Sequence, residues 1–201
     1  KECQWRKSQN VPLVCQHEKR QEEMRLLEFA PLTLSGSFHR SLIFNKLWLL
    51  SELAKIKDQF STIYILGSWY GNMSLLLARS DVQYDHIVNV DRDAAAVEAG
   101  QKIAKKMGLA DGIEPMVANV NNLDYRQLDT DGLVINTSCH DIKNTRWFEN
   151  IPAGTLVALQ SRTDVDDDLR NYKLSKLLYQ GSRELDDPET SYTSILKIGV
   201  K

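Results

Sequence analysis

Residues 63–78 read Ile63-Tyr64-Ile65-Leu66-Gly67-Ser68-Trp69-Tyr70-Gly71-Asn72-Met73-Ser74-Leu75-Leu76-Leu77-Ala78, an apolar run that breaks at two glycines and resumes with helical spacing. The β-branched and aromatic start, bounded by glycine, predicts a buried strand. Met73, Leu76 and Leu77 recur at steps of three and four, which predicts a helix after a tight loop over residues 67–71. The loop's N–H groups and the positive end of the helix dipole would converge on one point suited to a phosphate or carboxylate. Taken alone, such a turn is equally consistent with a strand–helix connection that holds no ligand.

The next apolar strand, His86-Ile87-Val88-Asn89-Val90, ends in Asp91. That is close to the ~20-residue offset at which nucleotide-binding βαβ units place a ribose-binding acid. Asp91 or Asp93 could instead cap the helix predicted over 94–107, and Asp93 is the better placed of the two, leaving Asp91 for a ligand. Gly108 closes that helix. Strands follow over 113–118, 132–135 and 155–159, and a short helix begins at Thr145-Arg146-Trp147-Phe148. Trp147 either walls a pocket or packs on the sheet. A helix is expected over 169–179 behind the acidic run Asp164, Asp166, Asp167 and Asp168, which reads as capping charge rather than a metal site. Segments 182–185 and 192–200 then form an antiparallel hairpin.

Residues 63–72, followed by Asn89-Val90-Asp91, resemble motif I and the ribose-binding acid of the class I S-adenosylmethionine-dependent methyltransferases. The later strands extend the resemblance over about 40–201. It implies an α/β fold, a seven-stranded, mostly parallel Rossmann-like sheet with a C-terminal antiparallel hairpin and an N-terminal helical cap. It also implies S-adenosylmethionine as cofactor, with Gly67, Ser68, Trp69, Gly71 and Asn72 at its methionine end and Asp91 and Arg92 at its ribose. Asn119 and Val120 fall where the family contacts adenine, with Asn121 competing for the role of Asn119 and turn formation equally open to both. Two positions depart from the family: its usual first-strand acid falls on Ile65, and its middle glycine on Trp69. A sulfonium donor has no pyrophosphate and tolerates a side chain at that point. A nicotinamide dinucleotide is disfavoured, because two of its three fingerprint glycines are missing.

The fourth strand delivers Asn136-Thr137-Ser138-Cys139-His140-Asp141 to the sheet edge where open α/β sheets bind ligands. Asn136 would contact cofactor or acceptor, and His140 is the best general-base candidate by its ordinary pKa, with Asp141 orienting it or acting instead. A structural histidine is the competing role, since methyl transfer can rest on proximity and orientation. Gln160, Ser161 and Arg162 end the fifth strand at the pocket rim. His39 and Arg40, before a helix whose expected buried stripe is Leu42, Ile43, Leu47, Leu50, Leu53 and Ala54, are further contact candidates.

At 201 residues with 42% hydrophobic content, one core and one domain are expected, with 1–60 as helical arm and cap and 61–201 as the cofactor-binding core. The net charge is −2 with scattered basic residues, so no strong nucleic-acid signal appears. Cys3, Cys15 and Cys139 are odd in number and widely spaced, which fits a reducing, cytoplasmic setting. Cys3, Cys15 and His17 lack paired metal-ligand spacing, and no metal is expected. No run reaches membrane-spanning length. The N-terminal arm, with a helix expected over 12–28, would cover the core or a second copy in a homo-oligomer. The expected activity is methyl transfer to an oxygen or nitrogen of a small-molecule or modest-sized acceptor. The alternatives are a catalytically inactive binding module, which the Ile65 and Trp69 departures would motivate, and an enzyme using another part of the cofactor.

Overall fold

The computed structural model describes residues 36–163, 168–185 and 192–201. Its strands are β1 (Gln59–Leu66), β2 (Gln83–Asp91), β3 (Ile113–Val117), β4 (Leu133–Asn136), β5 (Leu156–Arg162), β6 (Lys176–Leu185) and β7 (Tyr192–Val200). They form one sheet in the order β3-β2-β1-β4-β5-β7-β6, parallel except for β7, which runs antiparallel to both neighbours. Strand β1 is central because both its faces are apolar. Ile63 and Ile65 enter one core, and Tyr64 and Leu66 the other. Winding runs outward from β1 through β2 to β3, then restarts at β4 and proceeds the other way. The switch point between β1 and β4 opens a crevice at their C-terminal ends.

Helix α1 (Arg40–Ile56) covers one face of the sheet, burying Leu49 and Leu53 against Ile63, Ile65, Leu133, Ile135 and Leu196. The buried stripe is the expected one only in part: Leu50 and Leu53 are buried, but the stripe is rotated from its expected start. Asn45, Trp48 and Leu49 point inward, whereas Leu47 is exposed, as is Phe44. Trp48 decides this rotation, since its ring packs edge-on against Tyr179 of β6 and its Nε1 donates to the Tyr179 hydroxyl at 3.3 Å. Helix α1 therefore belongs to the sheet's core. The arm before residue 36, with its expected helix and Cys3, Cys15 and His17, lies outside the described residues.

Helix α2 (Asn72–Leu77) follows the glycine loop, and α3 (Ala94–Lys106) packs on β2 and β3. Asp93 caps α3 by accepting from the N–H groups of Ala95 and Ala96. The opposite face is covered by short pieces: two 3-10 turns, Val120–Asn122 and Tyr125–Gln127, and helix α4 (Arg146–Asn150). Trp147 is fully buried there with Phe148 and Tyr172, so it packs on the sheet and walls no pocket.

The helix expected over 169–179 is absent. A 3-10 turn spans Asp168–Asn171, and the chain enters β6 at Lys176. The helix-favouring run Leu177-Leu178-Tyr179 pairs along β7 through a bulge instead, a case of ladder hydrogen bonds overriding propensity.

Gly100 of α3 sets how closely that helix meets the glycine loop, because a Cβ there would lie 2.8 Å from the carbonyl oxygen of Tyr70. Within a helix, Gly→Ala alone would add ~1 kcal/mol. Gly100→Ala should nonetheless lower stability by ~1–3 kcal/mol through overpacking. Chemical denaturation checks the sign, and a stabilised variant would mean that the loop yields freely.

Candidate functional site

The crevice at the switch point is a cleft of about 520 Å³. Four segments of loop line it: residues 67–70 after β1, Asp91 and Arg92 at the end of β2, residues 118–121 after β3, and the segment after β4. Its conformation is dictated by backbone. Gly67 and Gly71 have φ of 63° and 74°, and Trp69, with φ 49°, is the positive-φ residue among the described residues that is not glycine. Holding a bulky residue there costs energy. The compensation is visible in the hydrogen bonds: the Trp69 N–H donates to Asp91 Oδ2 at 2.8 Å, and the Asp93 N–H donates to Asp91 Oδ1 at 3.0 Å.

This arrangement corrects the expected anion cradle. The Ser68 N–H donates to the Val90 carbonyl and the Gly71 N–H to the Ser68 carbonyl, so with Trp69 three of the loop's donors are engaged within the protein. What the loop offers a ligand is shape and side chains. Ser68 and Asn72 line the cleft, and their buried Oγ and Oδ1 have no hydrogen-bond partner among the described residues, while Asn72 Nδ2 donates to the Ser37 carbonyl. Asp91 keeps acceptor capacity, because a carboxylate has about four lone-pair sites and two are engaged. Gly71 does not line this cleft. It abuts Asn89, whose Nδ2 donates to Ser74 Oγ, which in turn donates to the Gly71 carbonyl and pins the start of α2.

Asn119, Val120 and Asn121 line the far wall. Asn119 Oδ1 accepts from both the backbone and the side chain of Asn121, so its own amide N–H group is what it presents. Asn121 Oδ1 accepts from the Trp147 N–H, which ties this wall to α4. Turn formation and cleft lining thus coexist in these two residues.

Across the cleft, Thr137, Ser138 and Asp141 line the wall, and Ser138 and Ile142 close over Gly67, where a Cβ would meet Ile142 at 3.2 Å. Asn136 and His140 do not line it. Asn136 is fully buried, its Oδ1 accepting from the Ser138 N–H, and it shapes the loop from beneath. His140 Nε2 lies 3.4 Å from Asp141 Oδ2, behind the residue that faces the cleft. Of the β5 candidates, Gln160 is buried and donates to the carbonyl and side-chain oxygens of Asn45, Ser161 is buried, and Arg162 stacks on Tyr192. His39 caps α1 and Arg40 lies over Phe44. None of these five lines the cleft.

Several lining residues escaped the sequence reading, Ser37, Lys143, Asn144 and Lys46 among them. Lys46 reaches the cleft from α1, and burial of its ammonium lowers its pKa to about 8. Its position beside Asn45 and ahead of Trp48 was the only signal, and a lysine on an amphipathic helix ordinarily reads as solvated surface.

No family model matches the chain, and no curated protein matches it. Solved structures do. M. capricolum TrmK in complex with S-adenosyl-homocysteine aligns at 16% identity and TM-score 0.56, over 74% of this chain and 66% of that one. A candidate sarcosine dimethylglycine methyltransferase from Galdieria sulphuraria aligns at 14% identity and TM-score 0.56, over 80% and 86%. An RNA methyltransferase from Salinibacter ruber, also with S-adenosyl-homocysteine, aligns at 20% identity and TM-score 0.51, over 81% and 91%. The chain spans just under two thirds of the TrmK structure. At these identities the likeness establishes the fold, which is that of the class I methyltransferases. Among the described residues no helix is long and apolar enough to cross a membrane.

Burial of an unpaired ammonium opposes folding. Between pH 8 and 10.5 the unfolded chain retains a proton that folded Lys46 has released, so this group makes stability rise with pH in that interval. Lys46→Met should raise stability at pH 7 by ~1 kcal/mol and flatten the profile above pH 8 relative to wild type. Denaturant titrations at pH 7, 8 and 9.5 check this, and parallel profiles for the two proteins would contradict it.

Proposed function

We propose that this chain binds S-adenosylmethionine in the 520 Å³ cleft and transfers its methyl group to an oxygen or nitrogen of a small or modest-sized acceptor. The observation that carries the reading is Asp91, held by two backbone N–H groups at a strand end with acceptor sites to spare. A vicinal diol is the group that fills two such sites from one ligand. The donor set fits the rest of the molecule. Asn119 presents an amide N–H to a ring nitrogen, Val120 supplies an apolar wall, and Ser68 and Asn72 line the cleft where the amino-acid end would lie. The volume sits within the range of small-ligand sites.

When bound, the cofactor supplies an activated methyl group on a positively charged sulfur. The protein's contribution is placement. Gly67 lets the loop after β4 approach closely, so that Thr137, Ser138 and Asp141 border the space beyond the glycine loop where an acceptor would meet the donor. Asp141, rather than His140, is positioned to take a proton from an acceptor that carries one, with His140 behind it. Asn136 acts as the scaffold of this loop.

Among the neighbours, TrmK and the S. ruber protein carry the cofactor product, which supports the cofactor reading, and the S. ruber protein is named as acting on RNA. An RNA acceptor therefore stands beside a small molecule as an outcome of substrate screening.

Calorimetry with S-adenosylhomocysteine should give one site per chain, and Asp91→Ala should weaken it at least ~10-fold while far-ultraviolet dichroism stays unchanged. Unchanged affinity would remove Asp91 from the site. With an acceptor in hand, release of S-adenosylhomocysteine marks methyl transfer, whereas methylthioadenosine would mark transfer of the aminocarboxypropyl group. Asp141→Asn should then lower kcat by ~10²-fold or more, and His140→Ala by less. The reverse order would return the proton step to His140.

A further inference from the structure

Lys46 is the anomaly of the cleft. It lines the cavity, makes no hydrogen bond or ion pair among the described residues, and is desolvated enough to hold its proton weakly. A cation partly taken out of water without a counter-ion is destabilising, and a perturbed group of this kind lining a cleft marks a candidate ligand site. The remaining charged side chains lining the cleft are Asp91, Arg92, Asp141 and Lys143. Asp91 is engaged by backbone donors, and Asp141 pairs with His140. The cleft thus carries three cations against two anions in a chain whose net charge is −2.

The position of α1 bears on which ligand group Lys46 meets. Its neighbour Asn45 is bound by Gln160 at the end of β5, whereas the diol-binding Asp91 ends β2. In the order β2-β1-β4-β5 these strand ends are three spacings apart, roughly 14 Å. A donor running from Asn119 past Asp91 to the glycine loop covers β3, β2 and β1. Beyond it Thr137, Ser138 and Asp141, after β4, border the space for the acceptor, and Lys46 lines the same cleft from α1.

We infer that Lys46 is the recognition point for an oxyanion, a carboxylate or a phosphate, carried by the methyl acceptor. The inference rests on the cofactor reading above for its placement of the donor, and it names the acceptor as an anionic molecule. Lys46 is a specificity residue, giving no chemistry of its own. Filling the site restores to the ammonium a partner that the protein withholds.

Lysines labelled with 13C at Cε, with Lys46→Met assigning the resonance, give the Lys46 titration midpoint directly. In the protein saturated with S-adenosylhomocysteine that midpoint should remain near 8. Addition of inorganic phosphate or of acetate should raise it by ~1 unit, a tenfold linkage, while exposed lysines stay put. The stronger of the two ions tells a phosphate-bearing acceptor from a carboxylate-bearing one. Two results overturn the inference: a midpoint restored to the ordinary lysine range by S-adenosylhomocysteine alone, which would assign Lys46 to the cofactor's carboxylate, or no response to either ion. If S-adenosylhomocysteine fails to bind, the cofactor reading fails on its own, and the same two ions added to the free protein still decide whether Lys46 binds an oxyanion.

Discussion

The hydrogen bond from the Trp69 N–H to Asp91 is the constraint on which the site depends. It joins the loop after β1 to the end of β2, alongside the bond from the Ser68 N–H to the Val90 carbonyl. Charge-assisted bonds of this kind contribute ~1.5–3 kcal/mol, comparable to the ~1–2 kcal/mol that a non-glycine residue costs in the left-handed region. Trp69 can therefore stand where a glycine would be unstrained, and its indole, stacked at 4.9 Å on Tyr70, becomes part of the cleft wall. The same bond organises the carboxylate for a ligand, since both its oxygens are fixed in place before anything binds.

The sheet makes that bond available. Reversal of the winding direction between β1 and β4 leaves the C-terminal ends of both strands uncovered, and the loops that line the cleft leave the sheet from the C-terminal ends of β1, β2, β3 and β4. The surroundings then set the walls at short range. Gly67 admits the loop after β4, Gly100 admits the loop after β1, and Asn89 and Ser74 fix the start of α2 from below. Packing on the two faces is unequal in kind. Long helices cover one, while the other is closed by 3-10 turns and the Trp147, Phe148 and Tyr172 cluster. Apart from Tyr172, which follows β5, that second cover comes from residues after β3 and β4, and the bond from the Trp147 N–H to Asn121 ties it to the Asn119–Asn121 wall.

How much of this was legible in the sequence follows from which forces are local. The strand–loop–helix at 63–78, the division of labour between Asp91 and Asp93, and the terminal hairpin were readable, because periodicity, capping and turn residues act within a few positions. The helix expected over 169–179 failed because Leu177-Leu178-Tyr179 has helical propensity, and pairing with β7 is a non-local term that no window of sequence contains. The stripe of α1 was right at Leu50 and Leu53 and misassigned at Leu47 for a similar reason, since Trp48 turns inward to meet Tyr179, 131 residues away. Within the site, the loop's N–H groups were expected to face a ligand, and the structure engages three of them internally. Asn136 and His140 were expected in the cleft and lie beneath and behind its wall. Lys46 could not be singled out at all, because a lysine's burial depends on the tertiary neighbours of its helix.

The central claim is that the fixed carboxylate of Asp91 exists to receive a ribose diol, and it is tested most directly by removing the diol from the ligand. Titration of the unaltered protein with S-adenosylhomocysteine and with its 2′,3′-dideoxy counterpart measures this without any change to the loop. The account predicts binding of the first and a loss of at least ~10-fold for the second, since two hydrogen bonds to a charged acceptor disappear. Equal affinity for the two ligands would contradict it and would leave Asp91 as a structural clasp alone.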